Sequence, residues 1–331
     1  MSRDQPQCRE TLSSGPLSMR IPSWLLALAV VIGLYLLFVG RVQQGSSRVF
    51  ETVWDLGHIP FMFVFGLGVL RLLTQATQRY RAGAVSGILP SYIALILSFS
   101  AATEFVQSFV GRTASLSDIL ANCLGAALAL LAANRSTSYL STKNRRYLIV
   151  GALAISIGLL LKPAAIFYDS WLARAQFPLL AGFESPTETL RWRGYSDHSR
   201  STEQVTEGQH SLKIQLHPKG YSYVSFQHFP ADWRGYRSLR FNVWSPRTGL
   251  PITLRIHDQA HQQGHQDYSD RFNRRYLLKR GWNQIVIDLN DVAQAPATRV
   301  LELGKVQRLS WFSANLGRRE TIYLDQLILA K

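Results

Sequence analysis

A set of polar side chains interrupts the most apolar half of this sequence, and their types suit acid–base and phosphate chemistry. They fall in two stretches, "WDLGHIP" at 54–60 and "EFVQSFVGRTASLSD" at 104–118, and just beyond the second. An ionisable side chain inside a bilayer costs roughly 2.5–3.5 kcal/mol on insertion scales, so such residues are functional candidates. The candidate polar cluster is Asp55, His58, Glu104, Gln107, Arg112, Asp118 and Asn122.

Two interpretations of this cluster stay open from the residues alone. In a catalytic one, His58 or Glu104 acts as general acid or base and Arg112 holds a phosphate group. In a structural one, Asp118 caps a helix and Asn122 bonds across helices. Arg112 then pairs with Glu104 or with a lipid phosphate. Whether the chain is an enzyme is therefore left undecided.

Five apolar segments must position these residues, and each is close to the roughly 20 residues that a membrane-spanning helix needs. They run over 21–40, 57–73, 84–105, 116–133 and 147–167. The first has a long apolar run and no small-residue cleavage site follows it, so we expect it to be retained rather than removed as a signal peptide. The sequence thus predicts an α-helical transmembrane bundle of about five helices.

Positive charges set the orientation of such a bundle, because they favour the cytoplasmic side. With the N-terminus inside, the inner segments carry Arg3, Arg9, Arg20, Arg71, Arg79, Arg81, Arg135, Lys143, Arg145 and Arg146, and the outer loops carry Arg41, Arg48 and Arg112. We therefore expect the polar cluster at the outer face and everything after residue 167 outside the cytoplasm. The formal net charge is +15, but no dense basic run with interleaved aromatics occurs, so no nucleic-acid partner is expected.

Spacing along the fourth segment predicts both a polar stripe and a close helix contact. Asp118, Asn122 and Gly125 follow one another at i, i+4 and i+7, on one helix face. Ala121, Gly125 and Ala129 are small residues at four-residue spacing, which lets helix backbones approach closely.

The pattern D-x-x-H, followed by E-x-x-Q-x-x-x-x-R-x-x-x-x-x-D-x-x-x-N-x-x-G, resembles the VanZ-like membrane family over about residues 25–135. The resemblance implies a bacterial envelope protein with a polar site on its outer face, and it supplies no reaction. The expected order is a cytoplasmic tail at 1–20, a VanZ-like four-helix membrane domain at 21–135, and a cytoplasmic loop, fifth helix and linker at 136–176. The bacterial inner (cytoplasmic) membrane is then the expected location, with membrane lipids as partners.

The remaining residues, 177–331, alternate apolar and polar side chains in short runs that are typical of β-strands. These runs are "SLKIQLH", "YSYVSFQHF", "SLRFNVWS", "ITLRIHD", "NQIVIDL", "QRLSWFSA" and "TIYLDQLIL". Turn signals lie between them and no long helix is predicted, so we expect an all-β, antiparallel jelly-roll sandwich. "LNDVAQ" is expected to form a single helical turn.

Several stretches of this half resemble galactose-binding-like jelly rolls, the fold of many carbohydrate-binding modules. They are "FES" at 183–185, "EGQHSLKIQL", "ADWRGYRSLRFNVWS", "GWNQIVIDLNDV" and "TIYLDQLIL". The resemblance implies a periplasmic or extracellular domain at 177–331 that binds a glycan or a lipid-linked saccharide. It also raises a structural calcium ion near Glu184 and Asp325, since calcium prefers oxygen ligands. No other cofactor is expected.

Sugar-binding surfaces combine aromatic faces with polar side chains that bind hydroxyl groups. The candidates on the expected concave sheet and its loop are Trp244, His257, Tyr268, Asp270, Arg271 and Trp311. The alternative for Trp244 and Trp311 is the core of the sandwich. His257, His261 and His265 share one face only in a helix, which a glycine interrupts, so a ligand-facing loop is favoured over a metal site.

Three functions fit these observations. In the first, an envelope protein binds a glycan through its exported sandwich. In the second, the bundle is a membrane-embedded enzyme that acts on a lipid-linked substrate through the polar cluster. The third, transport of a lipid or small molecule, gains little support from five helices without an internal repeat. No nucleophile-elbow, zinc-protease, phosphate-loop or dinucleotide motif is present, so glycan binding is the leading prediction and the enzyme is the alternative.

Overall fold

The computed structural model describes residues 22–38, 48–79, 87–109, 115–134, 139–218 and 220–331. The chain divides into two compact units. The first unit takes in Met1–Gly40 and His58–Ala152, and the second takes in Arg41–Gly57 and Leu153–Lys331. The predicted sandwich domain thus lies wholly within the second unit, which begins earlier than residue 177. The predicted tail at 1–20 lies outside the described residues.

The described long and short helices of the N-terminal half are α1 (Ser23–Phe38), α2 (Arg48–Asp55), α3 (His58–Arg79), α4 (Ile88–Phe109), α5 (Leu116–Ala133) and α6 (Thr142–Ala175). In the first unit, α3 packs against α1, α4 and α5. The core between them contains Phe61, Met62, Tyr92 and Leu130. Most of these helices carry apolar side chains on nearly all sides. One side of each helix packs against its neighbours, and apolar side chains on the other sides stay exposed.

The contact between α3 and α5 depends on a glycine. A Cβ atom at Gly125 would lie 2.8 Å from Met62 Cβ and 3.0 Å from Phe63 N, so no larger residue fits without separating the helices. Ala121 and Ala129 are also buried on this side of α5. The close approach predicted from small residues at four-residue spacing is therefore confirmed.

Four helical stretches are long and apolar enough to cross a membrane by length and composition. They are Arg48–Arg79, Ile88–Val106, Leu116–Ala133 and Thr142–Ala175. The apolar part of α1, Trp24–Leu36, is shorter. The predicted helical bundle is confirmed, with four candidate spans of sufficient length among the described residues.

The sequence does not predict α2, because this helix is short and has an inverted polarity. Its polar residues Arg48 and Thr52 are buried, whereas Phe50 and Val53 are exposed. A helix in water has the opposite arrangement, with its apolar side inward. The exposed apolar side is the pattern of a helix at a membrane interface.

The second unit contains a two-layered β-sandwich. Its strands are β1 (Leu179–Ala181), β2 (Trp192–Gly194), β3 (Asp197–Ser201), β4 (Ser211–Leu216), β5 (Tyr221–Phe226), β6 (Ser238–Ser245), β7 (Leu250–Asp258), β8 (Phe272–Leu278), β9 (Gly281–Asp288), β10 (Val306–Ala314) and β11 (Glu320–Ala330). The six-stranded sheet has the order β3-β4-β11-β6-β9, with β1 beside β11, and the five-stranded sheet has the order β2-β5-β10-β7-β8. All these pairs are antiparallel, which confirms the predicted antiparallel sandwich.

Every strand predicted from alternation is present, and "LNDVAQ" forms the short helix α8 (Leu289–Ala293). Four strands were not predicted. Two of them, β1 and β2, have only three residues, and β3 is polar throughout. The fourth, β8, has the sequence "FNRRYLL", in which consecutive arginines hide the alternation. Pairing with a neighbouring strand, rather than local pattern, makes these segments strands.

Alternating side chains from both sheets form one apolar core. The five-stranded sheet contributes Val224, Phe226, Ile252, Leu254, Ile256, Leu309 and Trp311, and the six-stranded sheet contributes Leu212, Ile214, Phe241, Val243, Ile322 and Leu324. Burying one large apolar side chain contributes about 1.5–3 kcal/mol. This core fixes which side of each strand faces outward.

A buried ion network joins α2, α6 and the sandwich within the second unit. Asp169 is fully buried, and its carboxylate accepts hydrogen bonds from Arg191 Nε at 3.0 Å and from the Arg48 guanidinium. Arg191 is also fully buried and donates from Nη1 to the Leu180 carbonyl at 2.9 Å. Removing one partner of a buried ion pair costs about 3–5 kcal/mol, since it leaves a charge uncompensated. One carboxylate therefore holds three elements of the unit together.

Candidate functional site

We call the side of the five-stranded sheet that points away from the core the open face. Strand alternation places on it Arg193 of β2, Tyr221, Tyr223 and Ser225 of β5, Arg308, Ser310 and Phe312 of β10, Thr253, Arg255 and His257 of β7, and Asn273 and Arg275 of β8. Four inter-strand spacings of about 4.8 Å make this face about 19 Å wide. Of the sequence-predicted ligand residues, His257 lies on this face.

Strand register aligns polar side chains in one row across the open face. Asn273 lies opposite Arg255, which lies opposite Ser310. Ser310 in turn lies opposite Ser225, and Ser225 lies opposite Arg193. The Ser225 and Ser310 hydroxyls are 2.7 Å apart, and Arg255 donates from Nη2 to Ser310 Oγ at 3.3 Å. This polar row combines guanidinium, amide and hydroxyl groups across all five strands, with the Ser225 and Ser310 side chains buried at its centre.

Three aromatic rings lie beside the polar row and form an aromatic strip. The Tyr221 ring lies 4.8 Å from Phe312 and 5.6 Å from Tyr223, measured between ring centroids. Tyr223 and Phe312 are opposite one another in the strand register. Tyr221 is 46% exposed, so the strip is accessible. A strip of this kind offers ring faces for stacking and Tyr hydroxyls for hydrogen bonds.

Several polar atoms around the open face lack a partner. Arg255 Nε, Arg271 Nε and Asn273 Oδ1 are buried and form no hydrogen bond among the described residues. A buried polar group that stays unpaired costs roughly 1–3 kcal/mol. These atoms therefore favour a ligand whose polar groups complete the missing hydrogen bonds.

Three arginines at the open face are partly buried and repel one another. Burial lowers the pKa of Arg271, and the neighbouring Arg255 lowers it further. Burial and Arg255 also lower the pKa of Arg308. Among the described residues, no carboxylate forms a salt bridge with Arg255, Arg271 or Arg308. The open face thus carries unneutralised positive charge.

The connection between β7 and β8 is fastened to the sandwich by Arg299. This guanidinium donates to Asp258 Oδ2 at 2.6 Å and to Asp270 Oδ1 at 2.5 Å. The hydrogen bond from Arg299 holds the pKa of Asp270 below its usual range. Asp258 also begins the short helix α7 (Gln259–Gln263), where it accepts the His261 N–H at 3.0 Å. Asp270, a predicted ligand residue, is therefore engaged in holding this connection.

His257 follows the open-face parity, but α7 covers it. Its side chain is 3% exposed, and its Nε2 donates to Gln262 Oε1 at 3.1 Å. Burial, together with the nearby His261 and Arg255, lowers the pKa of His257 to about 3. Among the described residues, no three His, Cys, Asp or Glu side chains come together as a metal site. His257 thus closes one end of the open face as a neutral residue.

Tyr268 and Arg271 lie just before β8, at the edge of the open face, and their role as ligand residues stays a prediction. The Arg271 guanidinium carbon lies 5.3 Å from the centroid of the Tyr268 ring. Tyr268 is 69% exposed. A cation and a ring in this geometry attract each other and present one flat, partly cationic edge.

The two predicted tryptophans lie elsewhere, so the six predicted residues do not share one surface. Trp311 is fully buried in the core, 5.4 Å from the Trp192 ring, and its prediction as a ligand residue is wrong. Its strand parity matches that of Leu309, which points inward. Trp244 lies on the outward side of the six-stranded sheet, where it meets Tyr323 edge-on at 5.5 Å. A role for Trp244 in binding requires the opposite face of the sandwich.

Sequence reasoning missed Tyr221, Tyr223, Arg255 and Phe312. The signal was present in the alternation of "YSYVSF", "ITLRIHD" and "QRLSWFSA". In each run, the apolar residues of one parity form the core, which assigns the residues of the other parity to the outward side. Choosing candidates by residue type instead of parity selected the core residue Trp311 in place of its neighbour Phe312.

The two carboxylates near which calcium was predicted both bind one loop. Asp325 Oδ2 accepts the Thr206 N–H and hydroxyl, each at 2.7 Å. Glu184 Oε1 accepts the N–H groups of Gln209 at 2.9 Å and His210 at 3.0 Å. Backbone N–H groups thus occupy one oxygen of each carboxylate. Calcium at this place stays a prediction.

The first unit assembles part of the polar cluster. His58 and Asn122 are buried, and His58 Nδ1 lies 3.0 Å from Asn122 Oδ1. Asn122 Nδ2 donates to Ser100 Oγ at 2.8 Å. Glu104 is buried one helical turn beyond Ser100 and accepts the Ser115 N–H at 3.3 Å. Because Asn122 Oδ1 only accepts, His58 Nδ1 is the donor of this hydrogen bond.

Two other members of the polar cluster lie in the described helices α5 and α2. Asp118 is half-buried in the first turn of α5, where Ser115 and not Asp118 is the cap. Asp55 ends α2 in the second unit. Arg112 and the Gln107 side chain lie outside the described residues.

No protein-family model matches this sequence, and no curated protein matches it. Solved structures with similar sandwiches include a family 11 carbohydrate-binding module from Clostridium thermocellum in complex with a β-1,3-1,4-mixed-linked tetrasaccharide. It is 16% identical, covers 46% of this chain and 94% of that chain, and has a TM-score of 0.37.

The family 11 module of a cellulosomal cellulase of Clostridium thermocellum is also similar, at 16% identity, 46% of this chain, 92% of that chain and TM-score 0.36. An exo-β-agarase is 17% identical and covers 46% of this chain and 24% of that chain, with TM-score 0.35. At these identities and TM-scores, the likeness assigns no ligand and no activity to this chain.

Proposed function

We propose that the sandwich binds a glycan or lipid-linked saccharide across its open face. The observation that carries the proposal is the aromatic strip of Tyr221, Tyr223 and Phe312 beside the polar row. Sugar rings have an apolar face that stacks on aromatic rings and hydroxyl groups that need hydrogen bonds. Both kinds of group lie here on adjacent positions of one rigid sheet.

Two polar atoms without hydrogen-bond partners indicate what kind of ligand the open face could bind. Arg255 Nε and Asn273 Oδ1 are buried beside the strip without partners among the described residues. A hydroxylated ligand supplies both donors and acceptors to such atoms. Tyr268 and Arg271 extend the surface at the β8 edge.

The experiment is a binding screen of the full chain in nanodiscs against bacterial and plant polysaccharides. Tyr221→Ala and Phe312→Ala should each weaken binding roughly ten-fold, which corresponds to about 1.4 kcal/mol for the loss of stacking on one ring. Trp244→Ala removes a comparable ring from the opposite face and should leave binding unchanged. Loss of binding in Trp244→Ala alone would place the site on the six-stranded sheet. No binding to any polysaccharide would overturn the proposal.

We also propose that the helices anchor this sandwich in a bacterial inner membrane, as a VanZ-like protein with its sandwich outside the cytoplasm. Four candidate spans and the exposed apolar side of α2 support a membrane setting. The buried His58, Ser100 and Asn122 and the close contact at Gly125 agree with the family-like pattern. Cysteine accessibility in intact cells tests the orientation: a cysteine at exposed Tyr268 should react with an impermeant thiol reagent, and one at exposed Lys143 should not.

A second candidate function, a membrane-embedded enzyme for a lipid-linked substrate, is favoured by His58. Its Nε2 is buried without a hydrogen-bond partner among the described residues, while Nδ1 is held by Asn122. An imidazole held in this orientation can act as a general base through its free nitrogen. Mass spectrometry of lipid-linked saccharides incubated with wild-type and His58→Gln proteoliposomes tests it. A product made by wild type and missing from the variant supports the enzyme, and identical lipid profiles exclude this role for His58.

A further inference from the structure

The arginines of the open face differ from seven others in the second unit. Arg48, Arg191, Arg234, Arg247, Arg274, Arg299 and Arg318 each form a salt bridge with an aspartate or glutamate, whereas Arg174, Arg200, Arg237, Arg240, Arg280 and Arg319 form none among the described residues. On the open face, Arg193, Arg255, Arg275 and Arg308 form no salt bridge among the described residues. None of the outward positions of this sheet holds an aspartate or glutamate.

This arrangement is unfavourable in the free protein. Arg255 and Arg308 are half-buried and both lie near His257, whose pKa they help to lower after burial and His261. Burial and Arg255 together lower the pKa of Arg308 and of Arg271. Like charges in a partly desolvated place repel more strongly than in water. An anion that binds here would offset the repulsion between these arginines and form the ion pairs that they lack in the free protein.

The guanidinium groups are also placed to be shared by one extended ligand. Arg255 and Arg193 belong to the polar row, three strands apart, and Arg275 lies two residues from Asn273 on β8. Guanidinium forks bind carboxylate, sulfate and phosphate groups through two parallel hydrogen bonds. The Tyr221 ring lies against both Tyr223 and Phe312, so the aromatic strip is continuous along one side of the polar row.

We infer that the open face selects a polyanionic glycan, a polysaccharide that carries carboxylate, sulfate or phosphate groups, which rests on the proposed glycan-binding function. The aromatic strip stacks on the sugar rings, and the arginines bind the anionic substituents. A neutral glycan satisfies the strip and leaves the arginines unpaired.

Paired polysaccharides test this inference with the full chain in phosphatidylcholine nanodiscs, where the lipid adds no net charge. Polygalacturonate is compared with its carboxyl-reduced form, a sulfated galactan with its desulfated form, and a phosphate-bearing glycan with its dephosphorylated form. The wild type should bind at least one anionic member roughly ten-fold or more tightly than its neutral counterpart. The preference should shrink as salt is raised, because screening weakens partly exposed ion pairs.

Single substitutions connect this preference to the arginines. Arg255→Gln and exposed Arg275→Gln should each reduce the preference for the anionic member several-fold and leave binding of the neutral member unchanged. Arg240→Gln is the matched control, since Arg240 is exposed on the outward side of the other sheet. Thermal unfolding checks that each variant is folded, and Arg275→Gln, at an exposed position, keeps the test valid if Arg255→Gln is unstable.

The outcomes separate the inference from the proposed function. Equal binding of anionic and neutral members would overturn the inference and leave glycan binding intact. No binding to any polysaccharide would overturn both. The same arginines could instead bind single-stranded DNA or phosphatidylglycerol vesicles as tightly as the glycan. That result would show that the open face recognises polyanions in general, and it would also overturn the inference.

Discussion

The two outward faces of the sandwich carry similar aromatic rows but treat their charges differently. On the six-stranded sheet, register places Lys213, Tyr323, Trp244 and Trp282 in one row. There, Lys213 pairs with Glu203 at 2.5 Å, and Glu203 also accepts a hydrogen bond from the Tyr323 hydroxyl. On the five-stranded sheet, the arginines beside the rings have no such partner among the described residues. The two faces therefore share aromatic rings and differ in whether the cations beside the rings are paired.

This difference extends to the rest of the unit. Where a guanidinium is buried for structural reasons, the chain supplies a carboxylate, as Asp169 does for Arg191. In the proposed function, a ligand supplies the negative charge that is missing beside the half-buried Arg255 and Arg308, whereas Arg200, also half-buried, donates to the Phe183 and Glu184 carbonyls. Three measurements test whether this separation of paired and unpaired cations is real.

The largest effect is expected at Asp169. Asp169→Asn leaves Arg191 and Arg48 buried without a negative charge, so the second unit should lose about 3–5 kcal/mol of unfolding free energy. Denaturant unfolding of the full chain in detergent measures this loss. Asp291→Asn is the control, because the Asp291 pair with Arg274 is about half exposed and should contribute about 1 kcal/mol at most. Equal losses in the two variants would show that burial does not separate these pairs.

A smaller effect is expected on acidification. The pKa of His257 is about 3 in the folded chain, owing first to burial and then to His261 and Arg255, and about 6.5 when unfolded. Between these values the unfolded state binds more protons, so stability is full above about pH 6.5 and is lost as the pH falls toward 3. The slope due to one histidine is at most about 1.4 kcal/mol per pH unit.

Thermal unfolding between pH 7.5 and 4.5 measures this slope. His257→Gln should make the decline shallower, whereas His265→Gln, at an exposed position on the same connection, should leave it unchanged. A decline that is the same in His257→Gln and wild type would mean that the positive end of the open face does not destabilise a protonated histidine.

The smallest effects are expected from removing one cation on each face, and their signs should differ. Arg308→Gln relieves repulsion from Arg255, so the melting temperature should stay the same or rise. Lys213→Gln removes the pair with Glu203, so the melting temperature should stay the same or fall slightly. A clear fall in Arg308→Gln would show that Arg308 stabilises the fold and would remove it from the unpaired class.

Alternation and apolar length predicted the architecture, because both report directly on burial. The fourth apolar segment, 116–133, coincides with α5, and the strand runs coincide with the longer strands of both sheets. Short or polar strands such as β2 and β3 were not predictable, since their neighbours in the sheet and not their own residues make them strands. The inverted polarity of α2 was not predictable for the same reason, because the buried Arg48 pairs with Asp169, which lies more than a hundred residues later in the chain.

The candidate site was less predictable than the fold. Tyr268 and Arg271 were selected from a loop that looked unlike core, and they do lie at the edge of the open face. Trp311 was wrong because residue type outweighed parity, although "QRLSWFSA" carries the parity that places Phe312 outward. The absence of carboxylates on one face is a property of register between distant strands. No local stretch of sequence contains it.

The contacts of α3 have a consequence for how the first unit moves. Hydrogen bonds from His58, Asn122 and Tyr92 link α3, α4 and α5, and the missing side chain at Gly125 brings α3 and α5 into backbone contact. By contrast, α1 meets α3 through Gly33 and Phe61, and no side-chain hydrogen bond joins α1 to another helix among the described residues. Displacing α1 against the other three helices therefore breaks no side-chain hydrogen bond among the described residues, but it must separate Phe61 from the backbone at Gly33.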